Sequence, residues 1–196
     1  KVNFDSQLHV YDGKKIEKLT ISDESYAKEI AKNVEKLKYK VSSIKKKEIN
    51  RKPTAPFITS TLIQEASRKL NFTAQKAMLI AQKLYEGIQI NGEVTGLITY
   101  MRTDSVTISK EAIKNIIAHI KKHYGPNYLP SAPITYKSKS KNAQEAHEAI
   151  RPTNFQNSPS AIKEFLDTDQ YKLYELIWKR TVASQMANAK LESVAV

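Results

Sequence analysis

Gly96-Leu-Ile-Thr-Tyr-Met-Arg-Thr-Asp-Ser105 is the stretch on which the reading of this chain turns. It sets Tyr100, Arg102 and Asp104 at alternate positions, and in an extended backbone alternate side chains point the same way. A phenol, a guanidinium and a carboxylate on one edge suit phosphoryl transfer. Tyrosine can act as a covalent nucleophile, and a phenolate leaves more readily than a sugar alkoxide, so a phosphotyrosine ester is easily reversed. The planar fork of Arg102 can hold two phosphate oxygens and stabilise developing charge. Asp104 can orient Arg102 or bond a hydroxyl. The plain alternative is that Tyr100 is one of ten ordinary tyrosines. Arg102 and Asp104 would then be an exposed ion pair worth ~0–1 kcal/mol.

A second cluster lies downstream, Asn142-Ala-Gln-Glu-Ala-His-Glu-Ala-Ile-Arg-Pro-Thr153. His147 sits there among Glu145, Glu148 and Arg151, and near neutral pH it can donate to a phosphate oxygen or handle a proton. Histidine with glutamate also raises a metal reading. A transition-metal site would want further His or Cys at ligand spacing, which this cluster lacks. Of the other histidines, His9 is remote, and His119 and His123, four apart on one helix face, read as surface residues. Asp167-Thr-Asp169 imitates an acidic metal motif, but its fifth position is Tyr171 and acids at a helix start favour the positive dipole end.

Composition bounds the partners. The 196 residues carry a formal net charge of +12, which makes a polyanion, and nucleic acid first, the partner to consider. A solvated basic surface is the bland alternative. The absence of cysteine excludes disulfide staples and thiolate zinc sites within the chain. No apolar run approaches the ~20 residues that span a bilayer, and a cytoplasmic protein is expected. The chain opens on Lys1 and closes on the apolar stretch Leu191 to Val196, so a piece of a longer protein is expected.

Local patterns give the layout. Alternation around Asp12-Gly13 predicts a hairpin. Ser22 then caps a helix carrying Tyr26, Ile30, Val34 and Leu37. Tyr39 to Ile49 alternates as a strand, and Lys45-Lys46-Lys47 with Pro53 to Pro56 marks a boundary. Thr61-x-x-Gln64 has capping-box spacing ahead of a Leu62, Ala66, Leu70 stripe. A second helix after Thr73 completes a helix-turn-helix outline, and Ser109 caps a third that ends at Gly125-Pro126. Lys137, Lys139 and Lys141 stud a loop. Ser158-Pro159 predicts a helix start, and a long helical stripe runs from about Asp169 to Gln185. Leu191 to Val196 reads as a strand whose partner is expected beyond the chain.

Ile98 to Ser105 and Ala146-His-Glu-Ala-Ile-Arg-Pro152 together resemble the two signature stretches of bacterial type IA DNA topoisomerases. Pro56-Phe-Ile-Thr-Ser-Thr-Leu62, followed by Ala81-Gln-Lys-Leu-Tyr-Glu86, resembles the helices that precede the family's active tyrosine. Order and separations match over essentially the whole chain. The resemblance implies an α+β fold, with a helical, helix-turn-helix-like tyrosine domain (57–153) inserted in a strand-and-helix arch (1–56 and 154–196). Hinges are expected near Arg51 to Pro56 and Arg151 to Ser158, because both are polar, proline-bearing joins. Tyr100 aligns with the nucleophile that forms a 5′-phosphotyrosine with one DNA strand while the other strand passes, relaxing underwound DNA. Arg102 aligns with an arginine on the scissile phosphate and His147 with a histidine beside it; Asp104 and Arg151 fall within the DNA-contacting signatures. The family's Mg²⁺ is held by a Toprim domain, and no Asp-x-Asp-x-Glu occurs here. The resemblance therefore places the Toprim domain and C-terminal DNA-binding extensions outside this chain, with no metal ligands in it, and implies that the chain alone is inactive. Single-stranded or underwound DNA is the expected partner. A tyrosine recombinase or type IB-like strand transferase, which joins the 3′ phosphate, and a non-catalytic nucleic-acid-binding module are the rival readings.

Overall fold

The computed structural model describes residues 5–136 and 148–196. Two compact units emerge, Lys1–Lys47 with Val194–Val196, and Glu48–Ser193. Lys137, Lys139, Lys141, Glu145 and His147 lie outside the described residues.

In the first unit, strands β1 (Val10–Tyr11) and β2 (Lys14–Lys15) pair antiparallel, Val10 opposite Lys15. Asp12 and Gly13 sit at φ 49° and 74° between them, the positive-φ pair that the right-handed strand twist favours in a two-residue turn. Helix α1 (Glu24–Glu35) is capped by Asp23, which accepts from Ser25 N, so the start lies one residue past Ser22. A carboxylate caps as well as a hydroxyl and is stabilised by the dipole. Of the expected stripe only Ile30 is buried. Tyr39, Val41 and Ile44 are exposed, and the strand begins only at Lys45.

The basic run belongs to that strand, β3 (Lys45–Arg51). It pairs with β6 (Ala189–Ala195), so the last strand finds its partner within the chain, contrary to the sequence expectation. Distant pairing of this kind leaves no local signature.

The second unit holds the main core. Helix α2 (Thr59–Leu70) starts two residues before Thr61, whose hydroxyl accepts from Ile58 N at 3.1 Å as an N3 side chain. The capping-box spacing therefore pointed to the right turn but the wrong cap. Asn71 ends α2 at φ 55°, a conformation asparagine tolerates. Buried Phe72 follows, and Thr73 caps α3 (Ala74–Glu86) by accepting from Lys76 N. Strands β4 (Ile88–Ile90) and β5 (Glu93–Thr95) form a hairpin over Asn91-Gly92. Asn-Gly is a strong two-residue turn signal, because both positions tolerate positive φ.

Helix α4 (Lys110–His123) is capped by Ser109 and buries Ile116 and Ile120. Ser158-Pro159 starts no α-helix. Ser158 closes a turn through Ala161 N, and only a short 3₁₀ turn, Lys163–Phe165, follows. Asp167 then caps α5 (Thr168–Ser184) through Asp169 N and Gln170 N, which is the use of this acidic pair. Helix α5 packs on α2 and α3 and buries Leu173, Tyr174, Ile177 and Trp178.

Two charged side chains, Glu65 and Arg180, join three pieces of this unit. Glu65 on α2 holds Lys69 at 2.8 Å, Arg68 at 3.3 Å and Arg180 of α5 at 3.5 Å. Arg180 also lies over the Phe57 ring and donates to Ala55 O. The Tyr136 hydroxyl donates to Pro53 O and Ser184 O at 3.3 and 2.8 Å. The proline-bearing stretch before α2 is thus tied down by two side chains. The hydrogen bond from Lys69, then the other cations, hold the Glu65 carboxyl below its ordinary 4.5. Its stabilising effect is complete above pH 4.5 and is lost as pH falls through the depressed folded value. Glu65→Gln should therefore lower the melting temperature at pH 7, and that difference should shrink as thermal scans move below pH 4.5.

Candidate active site

The tyrosine-bearing stretch is a bent loop with a single isolated bridge, Ile98 to Pro152. Its burial nevertheless alternates: Tyr100, Arg102 and Asp104 are exposed, whereas Met101, Thr103 and Ser105 are buried. Two sets of hydrogen bonds produce this. On one side, Thr99 N donates to Arg151 O at 2.9 Å. The Thr99 hydroxyl donates to Ala149 O at 2.7 Å and accepts from Arg151 N at 2.9 Å. Thr153 continues the line, its N to Leu97 O and its hydroxyl to Gly96 O. On the other side, the Thr59 hydroxyl at the start of α2 donates to Met101 O at 2.8 Å and accepts from Thr103 N at 2.9 Å. Thr59 N donates to Thr103 O at 3.0 Å. With the backbone pinned from both sides, the intervening side chains alternate between core and solvent.

Tyr100 is 39% exposed, and its ring meets Tyr85 of α3 edge-on at 5.3 Å. Gly96 makes that arrangement possible. A Cβ there would lie 2.8 Å from Tyr85 O, so only glycine lets the loop lie against the end of α3.

The second motif runs alongside the first. Ile150 bridges Phe57, and Ala149 N donates to Thr107 O. Glu148 accepts from Ser109 N at 2.9 Å and from Arg151 Nε at 2.7 Å, and pairs with a second guanidinium nitrogen. Arg151 Nη1 also donates to Pro152 O. Much of the Arg151 fork is therefore engaged within the protein, on the same backbone that holds Thr99. The structure brings Tyr100, Arg102, Asp104 and Arg151 into one region built from both motifs; His147, the residue before Glu148, lies outside the described residues. Sequence reading missed the two clamping threonines, Thr59 and Thr99, and the Tyr85 contact. Thr59 and Thr99 stand inside quoted motifs, but a hydroxyl bonded to backbone more than forty residues away announces nothing in its own neighbourhood.

Among the described residues no three His, Cys, Asp or Glu side chains gather as a metal site would require.

The fold matches a solved structure of full-length topoisomerase I from Thermotoga maritima, with a TM-score of 0.73 and 40% identity over 85% of this chain and 26% of that one. A family model described as DNA topoisomerase matches residues 1–196. DNA topoisomerase 1 of Rickettsia felis is 54% identical over 97% of the chain, and that of Xylella fastidiosa (strain Temecula1) 49% over 99%. The chain belongs to the bacterial type IA DNA topoisomerase family. It spans about a quarter of the length of these relatives, 25% and 24%.

Thr99→Val removes the bonds to Ala149 and Arg151 while keeping the shape, leaving buried backbone groups unpaired. Urea denaturation should show a loss of roughly 1–3 kcal/mol. Gly96→Ala should cost about 1–3 kcal/mol by forcing the loop off α3, and it should also alter the environment of Tyr85 in tyrosine fluorescence.

Proposed function

We propose that the full-length protein carrying this chain cleaves one DNA strand through Tyr100, passes the other strand and reseals the break, relaxing negatively supercoiled DNA. The observation that carries this reading is the backbone pairing of the two motifs: Thr99, next to Tyr100, is bonded to both Ala149 and Arg151. Tyr100 is thereby presented to solvent from a braced loop with Arg102 two residues away, on a chain of net charge +12.

The phenol oxygen of Tyr100 attacks the phosphorus, the bond from phosphorus to the 3′ oxygen breaks, and a 5′-phosphotyrosine forms. The phenol gives up its proton and the departing 3′ oxygen takes one up. Arg102 holds the phosphate and stabilises its developing charge. Asp104 and Arg151 assist in placing the DNA, and His147 aligns with the family's histidine at the scissile phosphate. Resealing is the reverse reaction, which conserves the phosphodiester energy. A Toprim domain outside this chain holds Mg²⁺ and completes the site, so the chain alone does not relax DNA. Single-stranded or underwound DNA in the cytoplasm is the substrate, since a strand must be accessible to be attacked.

A single-stranded oligonucleotide labelled at either end tests this with the full-length protein. Trapped adducts on a denaturing gel should sit on the 5′ phosphate, map to Tyr100 and vanish in Tyr100→Phe. A 3′ adduct would move the protein to the recombinase or type IB class, and binding without an adduct would leave a DNA-binding module. Arg102→Ala should lower the cleavage rate by about 10²–10³-fold, as expected for loss of a charge-stabilising donor.

A further inference from the structure

Helix α4 and the segment 153–158 wall a groove of about 770 Å³, lined by Asn115, His119, Lys122, His123, Phe155 and Gln156, among others. A smaller hollow of about 200 Å³ shares Asn115, Thr153 and Phe155 with it and is also lined by Arg151. The shared residues set the two hollows side by side, His123 lining the larger and Arg151, whose backbone holds Thr99, lining the smaller. Glu111 is the one acidic side chain lining either hollow among the described residues.

The floor is aromatic and ordered. His119 stands edge-to-face on Trp178 at 4.9 Å, and His123 stacks on His119 at 4.3 Å with 24° between the planes. The pair read from sequence as surface residues is thus a two-ring column rooted on the core. His123, at its outer end, is exposed. Burial first, then the neighbouring His123 and Lys122, lower the pKa of His119 from the ordinary histidine value. Lys122 stands next to the column, and Asn115 lies two turns back on the same helix.

We propose that this groove is a track for a short run of single-stranded DNA, one base stacked on His123 and a neighbouring phosphate on Lys122. The volume falls within the roughly 300–1,000 Å³ that encloses a ligand of nucleotide size. Stacking on a flat ring with a cation alongside is sequence-tolerant recognition of unpaired bases. A duplex keeps its base faces covered and cannot use the column. The inference rests on the reading of the protein as a DNA-cleaving enzyme and adds where the strand runs beyond the tyrosine.

The test uses full-length protein carrying Tyr100→Phe and an oligonucleotide with a photoreactive thymine analogue moved along its length. Crosslinks should map by mass spectrometry to residues 119–123 for a subset of positions. In binding titrations His123→Ala should weaken single-strand affinity by about five- to tenfold, the loss of one stacked base. His123→Phe should restore it, which a charge effect or a folding defect would not. Lys122→Ala should reduce the salt dependence by about one unit of slope. The absence of crosslinks at 119–123, unchanged affinity in His123→Ala, or failure of His123→Phe to rescue would each overturn the track. The same oligonucleotide is scored for the Tyr100 adduct with wild-type protein. Adduct without crosslinks removes the track alone, and crosslinks without adduct remove the cleavage reading alone.

Discussion

Two threonine hydroxyls hold this site together. Thr59 and Thr99 each bond backbone from a distant part of the chain, and between them they fix a stretch with no regular secondary structure. Such a loop has to satisfy its buried amides and carbonyls without a sheet ladder. Side-chain hydroxyls, which both donate and accept, do this in one atom each. The alternation that exposes Tyr100, Arg102 and Asp104 follows from this clamping, and so does the alignment of the second motif beside the first. The Glu148–Arg151 pair then locks the second motif to the start of α4 through Ser109 N.

Much of the fold was legible where chemistry is local. The Asp12-Gly13 turn, the Ser109 and Thr73 caps and the stripe of α5 follow from positive φ, hydroxyl acceptors and a 3.6-residue period, all visible within a few positions. The α+β class and the motif resemblance were legible for the same reason, since the motifs are contiguous. What was not legible depends on tertiary partners. The pairing of β3 with β6 joins opposite ends of the chain. Ser158-Pro159 had the composition of a helix start, yet the residues after it form turns and pack buried Ile162, so local propensity yielded to packing. Of the histidine pair, His123 is at the surface as read, but the contact of His119 with Trp178 was not legible, because a helical wheel shows spacing and not a ring on a different helix.

Charge is organised rather than spread evenly. Glu65 gathers three cations at the junction of α2 and α5, so part of the basic excess is neutralised in the framework. The exposed strand β3 and the α4 groove keep theirs facing solvent. A basic chain that compensates its charges in its framework and leaves them open at its grooves can attract a polyanion without straining its own packing.

Gly96 and the two threonines also have a mechanical meaning. They tie the loop to its surroundings, because the backbone on either side of Tyr100 is bonded to the start of α2, to the end of α3 and to residues 149–153. A DNA end joined to that phenol would be joined in effect to the whole of 48–193. Tension along the strand would pass through several parallel hydrogen bonds into the helices, with no single bond bearing it alone. The ester would then be an anchor point on a stiff body, and separation of the broken ends would be measured by how far that body travels.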